Sequence, residues 1–259
     1  MTKERAEDLA EGTLMSHLVE LRNRLFWMFG SVFLVFLAMF PFSKLIFEVV
    51  SEPLRKVLPG GELIAIGTAS PVIATLKLSF YLSLIIAMPV VLYQLWAFIA
   101  PGLYRKEKRF AFPLLGTSIF LFYVGIAFAY FVVFPLVFGF LASFTPDTVN
   151  YMPDISDYVG FVMMLILVFG LAFETPVATV LLIWSGIVSI EKLTGARPFV
   201  FLGAFVVGML LTPPDVISQT LLALPMWALF EIGLVMARIL LPHRQSKPED
   251  EEPADQATS

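Results

Sequence analysis

Cysteine is absent from this 259-residue sequence, and charged side chains are scarce. Without cysteine the chain cannot form disulfides, attach haem through thioethers or hold a metal through thiolates. Only 15% of its residues are charged, against about 25% in an average soluble domain. Residues 1–12 are polar and acidic and contain no apolar core of the kind found in a secretory signal peptide. We therefore expect membrane insertion to rely on the first long apolar segment.

The sequence patterns of common enzymes are also missing. It has no Gly-x-x-x-x-Gly-Lys-Ser/Thr phosphate loop, no His-Glu-x-x-His zinc pattern and no Gly-x-Ser-x-Gly nucleophile turn. Both histidines, His17 and His243, fall in polar segments, and no pair of aspartates lies within an apolar segment. We therefore predict that the protein is not an enzyme, and we expect no cofactor, no metal and no nucleic-acid partner.

Apolar residues dominate what is present, at 58% of the chain with a mean hydropathy of +0.85. A helix crosses a bilayer with about 20 mostly apolar residues. Segments of this kind predict an all-α polytopic membrane protein with six transmembrane helices, several kinked by proline into a concave bundle. The predicted spans are 25–50, 72–99, 110–140, 161–184, 199–211 and 216–236. A short amphipathic helix, with Thr13 as its N-cap, should precede the first span.

The fifth and sixth predicted spans are unusual because both are short. The fifth has only about 13 apolar residues, or about 20 Å of helix, whereas the hydrocarbon core is about 30 Å thick. Two interpretations remain open: a re-entrant hairpin, or two short full spans in a locally thinned bilayer. Both return the chain to the side from which it came.

Lysine and arginine are distributed unevenly between the predicted loops. Thirteen of the seventeen fall in the two tails and in the loops after spans two and four. Cytoplasmic segments carry such an excess, so we predict that both termini are cytoplasmic. The domain boundaries that follow are a mobile polar tail at 1–12, the six-helix unit at 13–238 and a disordered acidic tail at 239–259.

Two ionisable residues, Glu174 and Glu231, fall within predicted spans. A charge at membrane depth costs about 2.5–3.5 kcal/mol on insertion scales, so each should face protein or a watery cavity. Pro176 removes a backbone donor two residues after Glu174 and interrupts the helix there. This pattern is compatible with a secondary transporter, which is our alternative functional hypothesis. The absence of an internal repeat counts against it.

Two patches on the predicted cytoplasmic side, at 16–25 and 98–109, mix acids with bases. From the residues alone, Glu20 is explained by an i,i+4 ion pair with Arg24, worth about 0.3–0.5 kcal/mol. In the same way, Glu107 is explained as a solvated acid among four bases.

Five segments of the chain resemble the TatC family, in the same order and topology. They are HLVELRNRL at 17–25, FIAPGLYRKEKR at 98–109, FGLAFETPV at 169–177, LTPPDVISQ at 211–219 and ALFEIG at 228–233. TatC is the six-span subunit of the twin-arginine protein translocase. The resemblance covers residues 13–238 and implies a receptor for signal peptides that carry an Arg-Arg pair. It further implies export of folded proteins across the bacterial cytoplasmic membrane, driven by the proton-motive force.

The resemblance also implies roles for particular residues. Glu20 and Glu107 match the carboxylates that bind the arginine pair, and Arg22, Phe98 and Arg105 match positions that shape the same patch. A carboxylate accepts both prongs of a guanidinium, a geometry that lysine cannot copy. The single-span partners TatB and TatA would dock at a polar cluster near the outer turn, comprising Met209, Thr212, Asp215 and Gln219. A multimeric complex in the lipid bilayer is implied as well.

Overall fold

The computed structural model describes residues 3–57, 63–99, 108–143, 152–212 and 216–241. Ten α-helices lie in those residues, and no named strand does. They are α1 (Lys3–Met39), α2 (Ser43–Val57), α3 (Ser70–Ile99), α4 (Lys108–Phe128), α5 (Phe134–Ser143), α6 (Ile155–Ala172), α7 (Thr175–Trp184), α8 (Ile190–Gly195), α9 (Arg197–Leu211) and α10 (Val216–Leu240). Five helical segments are long and apolar enough to cross a membrane, and α9 is a shorter sixth. The all-α polytopic prediction is confirmed.

The first helix is longer than the sequence predicted. A helix start at Thr13 is wrong, because α1 begins at Lys3 and runs unbroken to Met39. Residues 3–11 are mostly Lys, Glu, Arg, Ala and Leu, which have high helix propensity, so the helix extends through this polar stretch. The predicted surface helix and the first span are therefore one continuous element. At the other end of the chain, residues 242–259 lie outside the described part, and the predicted disorder there stays a prediction.

Proline decides where several spans are interrupted. Pro41 sits in a 3₁₀ turn that separates α1 from α2, and Pro135 follows a π-helical turn between α4 and α5. Pro176 lies in the first turn of α7, after the break that ends α6. By contrast, Pro89 and Pro225 lie inside continuous helices. A missing N–H is tolerated most easily in the first turn of a helix, where it has no intrahelical acceptor.

One end of the bundle is closed by two short connections that bind each other. The N–H of Ile64 donates to the carbonyl of Pro153 at 3.2 Å, and the N–H of Ile155 donates to the carbonyl of Ile64 at 2.9 Å. Asp154 caps α6 through the N–H of Ser156 at 2.8 Å. Its other carboxylate oxygen accepts from the N–H of Ile66 at 2.9 Å. We call this the closed end; the other end, which holds residues 18–24 and 94–99, is the groove end.

The core forms where α6 packs against α3 and α4. Phe122 and Phe169 are fully buried at this contact. Glycine lets the backbones come close: a Cβ on Gly125 would lie 2.6 Å from the carbonyl oxygen of Phe169, and one on Gly170 would lie 2.7 Å from the ring of Phe122. The α4–α6 contact therefore depends on the lack of side chains at these two positions.

The last two helices differ from each other in length. Helix α9 has 15 residues, or about 22 Å, as predicted for a short span. The prediction that helix six is also short is wrong, because α10 has 25 residues and continues to Leu240. Its last turn stays apolar apart from Arg238, a cation that is favourable at a helix C-terminus. Leu211 and Thr212 share a cavity with Pro153 and Asp157 at the closed end, which supports a full crossing over a re-entrant hairpin.

Candidate functional site

An open groove of about 500 Å³ lies between α1 and α3 at the groove end of the bundle. Five of its lining residues fall on one face of α1 and two on α3. They are Val19, Glu20, Asn23, Arg24 and Trp27, with Tyr93 and Gln94. Residues three and four apart share a helix face, so the spacing within α1 produces this stripe. We name it the Glu20 groove.

Glu20 is held inside this groove by Arg24. The Nη2 and Nε of Arg24 donate to Oε1 of Glu20 at 2.5 and 3.0 Å. The Nη1 of Arg24 also donates to Oε1 of Gln94 at 3.3 Å, which joins α1 to α3. The Glu20 side chain keeps 35% of its surface exposed, and Arg24 keeps 20%. The i,i+4 pair expected from sequence therefore exists, and it lies inside an accessible groove.

Of the other predicted members of this patch, the structure describes two and leaves two outside the described residues. Arg22 is exposed and donates to Oδ1 of Asn23 at 3.4 Å. Phe98 is half-buried near the end of α3, four positions after Gln94 and so on the same helix face. Arg105 and Glu107 lie outside the described residues. The structure thus brings Glu20, Arg22 and Phe98 to one end of the bundle.

A second groove of about 530 Å³ lies further along α1, on a different face of the helix from the first. Its lining is almost entirely apolar and mostly aromatic: Phe26, Phe29, Gly30, Val32, Phe33, Phe36 and, from α3, Phe80. Gly30 has open space where a side chain would be, with no atom within 4 Å of an added Cβ. We name it the phenylalanine groove.

Glu174 lies in the break between α6 and α7, facing α4 across the bundle. The Ser118 hydroxyl of α4 donates a hydrogen bond to its Oε2. Its Oε1 is buried and has no hydrogen-bond partner among the described residues. The N–H of Ala178 closes the first turn of α7 on the carbonyl of Glu174 at 2.8 Å. The hydrogen bond from Ser118 agrees with the expectation that the Glu174 side chain faces protein rather than lipid.

Glu231 is paired with a cation, which the sequence analysis did not foresee. The Nη2 of Arg197 lies 2.7 Å from Oε2 of Glu231, joining the start of α9 to α10. Because α9 is shorter than α10, its first residue lies level with Glu231 rather than with the end of α10. The pairing gives Glu231 a structural explanation. The sequence analysis placed Arg197 in the loop before the fifth span and so did not identify it as the partner of Glu231.

The predicted partner-docking residues differ in accessibility. Met209 keeps 51% of its surface exposed, whereas Thr212 is buried and donates its hydroxyl to the carbonyl of Gly208 at 3.0 Å. Gln219 is half-buried, and its backbone lies 3.3 Å from where a Cβ on Gly208 would be. Asp215 lies outside the described residues. Thr212 is the C-cap of α9, and of the three members that the structure describes Met209 is the exposed one.

Three residues of these sites escaped the sequence analysis, two of them because only a tertiary contact reveals them. Ser118 binds Glu174 across 56 positions, and Gln94 binds Arg24 across 70. Trp27 was assigned to the first span with no further role, although it lines the Glu20 groove. The spacing of Trp27 from Glu20, seven positions on one helix, was a signal that could have placed it there.

Comparison with known proteins gives one consistent result. The profile of the family described as Sec-independent protein translocase protein (TatC) matches residues 16–225. The Sec-independent protein translocase protein TatC of Azotobacter chroococcum is 56% identical over 243 residues, 93% of this chain and 94% of the relative. The protein of the same name from Escherichia coli K12 is 54% identical over 237 residues, 91% of this chain and 92% of the relative.

A solved structure agrees with these relatives. The crystal structure of a twin-arginine translocase receptor, TatC, superposes with a TM-score of 0.79 at 38% identity, covering 86% of this chain and 98% of that one. A secondary transporter, our alternative hypothesis, finds no support in these matches. The profile match extends from the Glu20 groove into α10, well over half of the chain. This multi-pass membrane protein therefore belongs to the TatC family of Sec-independent protein translocases.

Proposed function

We propose that this chain is the signal-peptide receptor of a twin-arginine translocase that exports folded proteins, with the Glu20 groove as part of the receptor site. The observation that carries the proposal is a half-exposed carboxylate, Glu20, in an open groove at the end of the bundle to which Phe98 also belongs. Within a translocase family such a groove serves binding and organisation, and the chain acts as a transport subunit rather than an enzyme.

The chemistry of the groove suits an arginine. Arg24 already places two guanidinium nitrogens on Oε1 of Glu20. A guanidinium from a peptide can use the same carboxylate with the same planar geometry, whereas a lysine ammonium is a single point of charge. Glu107 and Arg105 belong to the proposed site by family resemblance, with Glu107 as the second carboxylate.

The phenylalanine groove is suited to the next part of such a peptide. Along α1, Gly30 lies ten positions after Glu20, or about 15 Å away. A signal peptide has a basic segment followed by an apolar one. The apolar groove lies further along α1 than the polar one but on a different face, so a peptide bound at Glu20 has to pass around α1 to lay its apolar segment against Phe29 and Phe33.

The direct test is binding of a signal peptide to the purified full-length protein in nanodiscs. A photocrosslinking peptide with an Arg-Arg pair should label the protein, and the matched peptide with Lys-Lys should label it far less. A peptide with the same apolar segment and two glutamines is the control for insertion into lipid alone. Equal labelling by all three peptides would show that the site does not recognise arginine.

We infer that the exposed face of α9 receives the single-span partners TatB and TatA. Leu202, Val206 and Met209 are exposed at spacings of four and three, which forms an apolar stripe on the short helix. A cysteine at Met209 should crosslink to a cysteine in a partner helix, and one at the half-buried Gln219 should crosslink less. Val90 on α3 is a matched control because it is 41% exposed. Crosslinks at Val90 but not at Met209 would place the partner elsewhere.

The orientation follows from the distribution of lysine and arginine. We infer that the groove end faces the cytoplasm of a bacterial cell, together with both termini, and that the closed end faces the periplasm. The proton-motive force would then drive export across the inner membrane, within a multimeric complex. Reporter tags at Met1 and Lys192 should be cytoplasmic, and a tag near Gly60 should be periplasmic. A cytoplasmic tag near Gly60 would contradict the six-span topology.

A further inference from the structure

Arg24 has the same chemistry as the ligand proposed for the Glu20 groove. Its guanidinium holds Oε1 of Glu20 through two nitrogens, at 2.5 and 3.0 Å. No other hydrogen bond to Glu20 is formed by the described residues, so Arg24 is its partner in that part of the chain. The groove, as it stands, is thus occupied by an arginine of the protein itself.

The charges around the groove mean that the Arg24–Glu20 pair affects how a peptide with two arginines can bind. Among the described residues that line the groove, Glu20 is the only acid, and Arg24 is paired with it; Arg22, two positions before Arg24, is exposed and carries a further positive charge but does not line the groove. A peptide with two arginines therefore enters a region without a free negative charge in the described residues. At Glu20, the peptide gains a counterion only when Glu20 exchanges one guanidinium for the other; Glu107, the second carboxylate of the proposed site, lies outside the described residues.

Gln94 gives Arg24 a place to remain after such an exchange. Its Oε1 already accepts from Nη1 of Arg24 at 3.3 Å, using a nitrogen that Glu20 does not use. The displaced guanidinium can keep this contact to α3 while Glu20 turns to the peptide. A half-exposed i,i+4 pair is weak, so the exchange is inexpensive.

We propose that Arg24 is an internal competitor that occupies the arginine site of the free receptor and is displaced from Glu20 when a signal peptide binds. This inference rests on the proposed function of the Glu20 groove. It assigns Arg24 the role of setting peptide affinity, which is lower than the groove would otherwise provide.

The test measures the affinity of a fluorescent Arg-Arg signal peptide for the full-length protein in nanodiscs. Arg24→Gln removes the competitor and should tighten binding about threefold, the factor expected for loss of a weak ion pair. Arg22→Gln is the matched control, since it removes the same charge two positions away without freeing Glu20. It should tighten binding less. Arg24→Lys keeps the charge but loses the double contact, and should lie between the wild type and Arg24→Gln.

A double-mutant comparison separates competition from simple repulsion. In a Glu20→Ala background the competitor has nothing to block, so Arg24→Gln and Arg22→Gln should have equal effects. Unchanged or weaker peptide binding by Arg24→Gln would overturn the proposal, as would tightening that persists undiminished without Glu20. Failure of the wild-type protein to prefer Arg-Arg over Lys-Lys peptides is a different result, which would refute the receptor function itself.

Discussion

Helix α1 and the α6–α7 span are similarly apolar, yet they are buried to very different extents. In the most apolar 18-residue window of each, 6% of the residues are buried for the first span and 44% for the fourth. Hydropathy alone therefore distinguishes membrane-spanning helices from helices in water, but it does not distinguish lipid-facing helices from protein-facing ones. The first helix leaves most of its side chains exposed, and the fourth span uses its side chains to hold the bundle together.

The two carboxylates of these regions follow the same division. Glu20 has a partner four positions away on its own helix, and its side chain remains accessible. Glu174 has a partner on another helix, 56 positions away, and one of its oxygens is buried without a described partner. A substitution at Glu20 should therefore affect ligand binding, whereas one at Glu174 should affect the bundle as well. The following predictions test this division.

The largest effect is expected where α4 meets α6. Gly125→Ala places a methyl group 2.6 Å from a backbone carbonyl oxygen, which cannot move as a side chain can. We expect a loss of about 1–3 kcal/mol in stability, seen as a lower melting temperature and yield in detergent. Gly116→Ala on the same helix is the control, because nothing lies within 4 Å of its added Cβ. Equal stability of the two variants would mean that α4 and α6 are not tightly packed.

The next effect concerns the receptor site. Glu20→Ala and Glu107→Ala should each weaken binding of an Arg-Arg peptide by about tenfold or more, because a hydrogen bond to a charged group contributes about 1.5–3 kcal/mol. Melting temperature should change little, since Glu20 lies outside the packed core. Titration of the peptide by fluorescence anisotropy gives the affinity. Wild-type affinity in both variants would leave Glu20 as nothing more than a helix-surface ion pair.

A smaller and more selective effect is expected at Glu174. Glu174→Gln keeps an acceptor for the Ser118 hydroxyl, whereas Glu174→Ala leaves that hydroxyl buried without it, at a cost of about 1–3 kcal/mol. We expect export of a reporter protein to be largely retained with Gln and reduced with Ala, at normal membrane levels of both. Ser118→Ala tests the other partner. If Gln fails as badly as Ala, ionisation of Glu174 is required and hydrogen bonding is not the whole role.

The smallest effect is expected at the closed end, and it depends on pH. The N–H of Ile66, with that of Ser156, lowers the pKa of Asp154 below its ordinary value. A lowered pKa in the folded state means that the carboxylate stabilises the fold above its ordinary pKa and loses this contribution as the pH falls. Asp154→Ala should therefore lower the melting temperature at pH 7, with the difference shrinking between about pH 5 and pH 3. A difference that stays constant over this range would exclude the carboxylate charge as its cause.

Sequence reasoning succeeded where a pattern repeats along one element. The spans, the shortness of α9 and the Glu20–Arg24 pair all follow from residue type and helical spacing. The prolines of the apolar segments predicted interrupted spans only in part: the spans break beside Pro41, Pro135 and Pro176, but Pro89 and Pro225 lie inside continuous helices.

Contacts between distant elements could not be predicted in the same way. The Arg197–Glu231 pair depends on the level at which α9 begins relative to α10, which is set by packing rather than by either helix alone. The hydrogen bonds of Ile64 with Pro153 and Ile155 likewise join two connections that are far apart in sequence. The start of α1 was missed for a different reason: strong helix formers before Thr13 outweighed a plausible cap.

The length of α9 has a mechanical consequence for the membrane around it. A 22 Å helix beside hydrocarbon about 30 Å thick forces the adjoining lipids to shorten by about 8 Å, and each ångström of mismatch costs a fraction of a kcal/mol. That elastic energy is stored in an annulus of strained lipid. When two short helices lie side by side, their annuli merge, and less lipid is strained than when the two helices are apart. We therefore expect the membrane itself to favour the approach of other short helices to α9, before any side chain on either one makes contact.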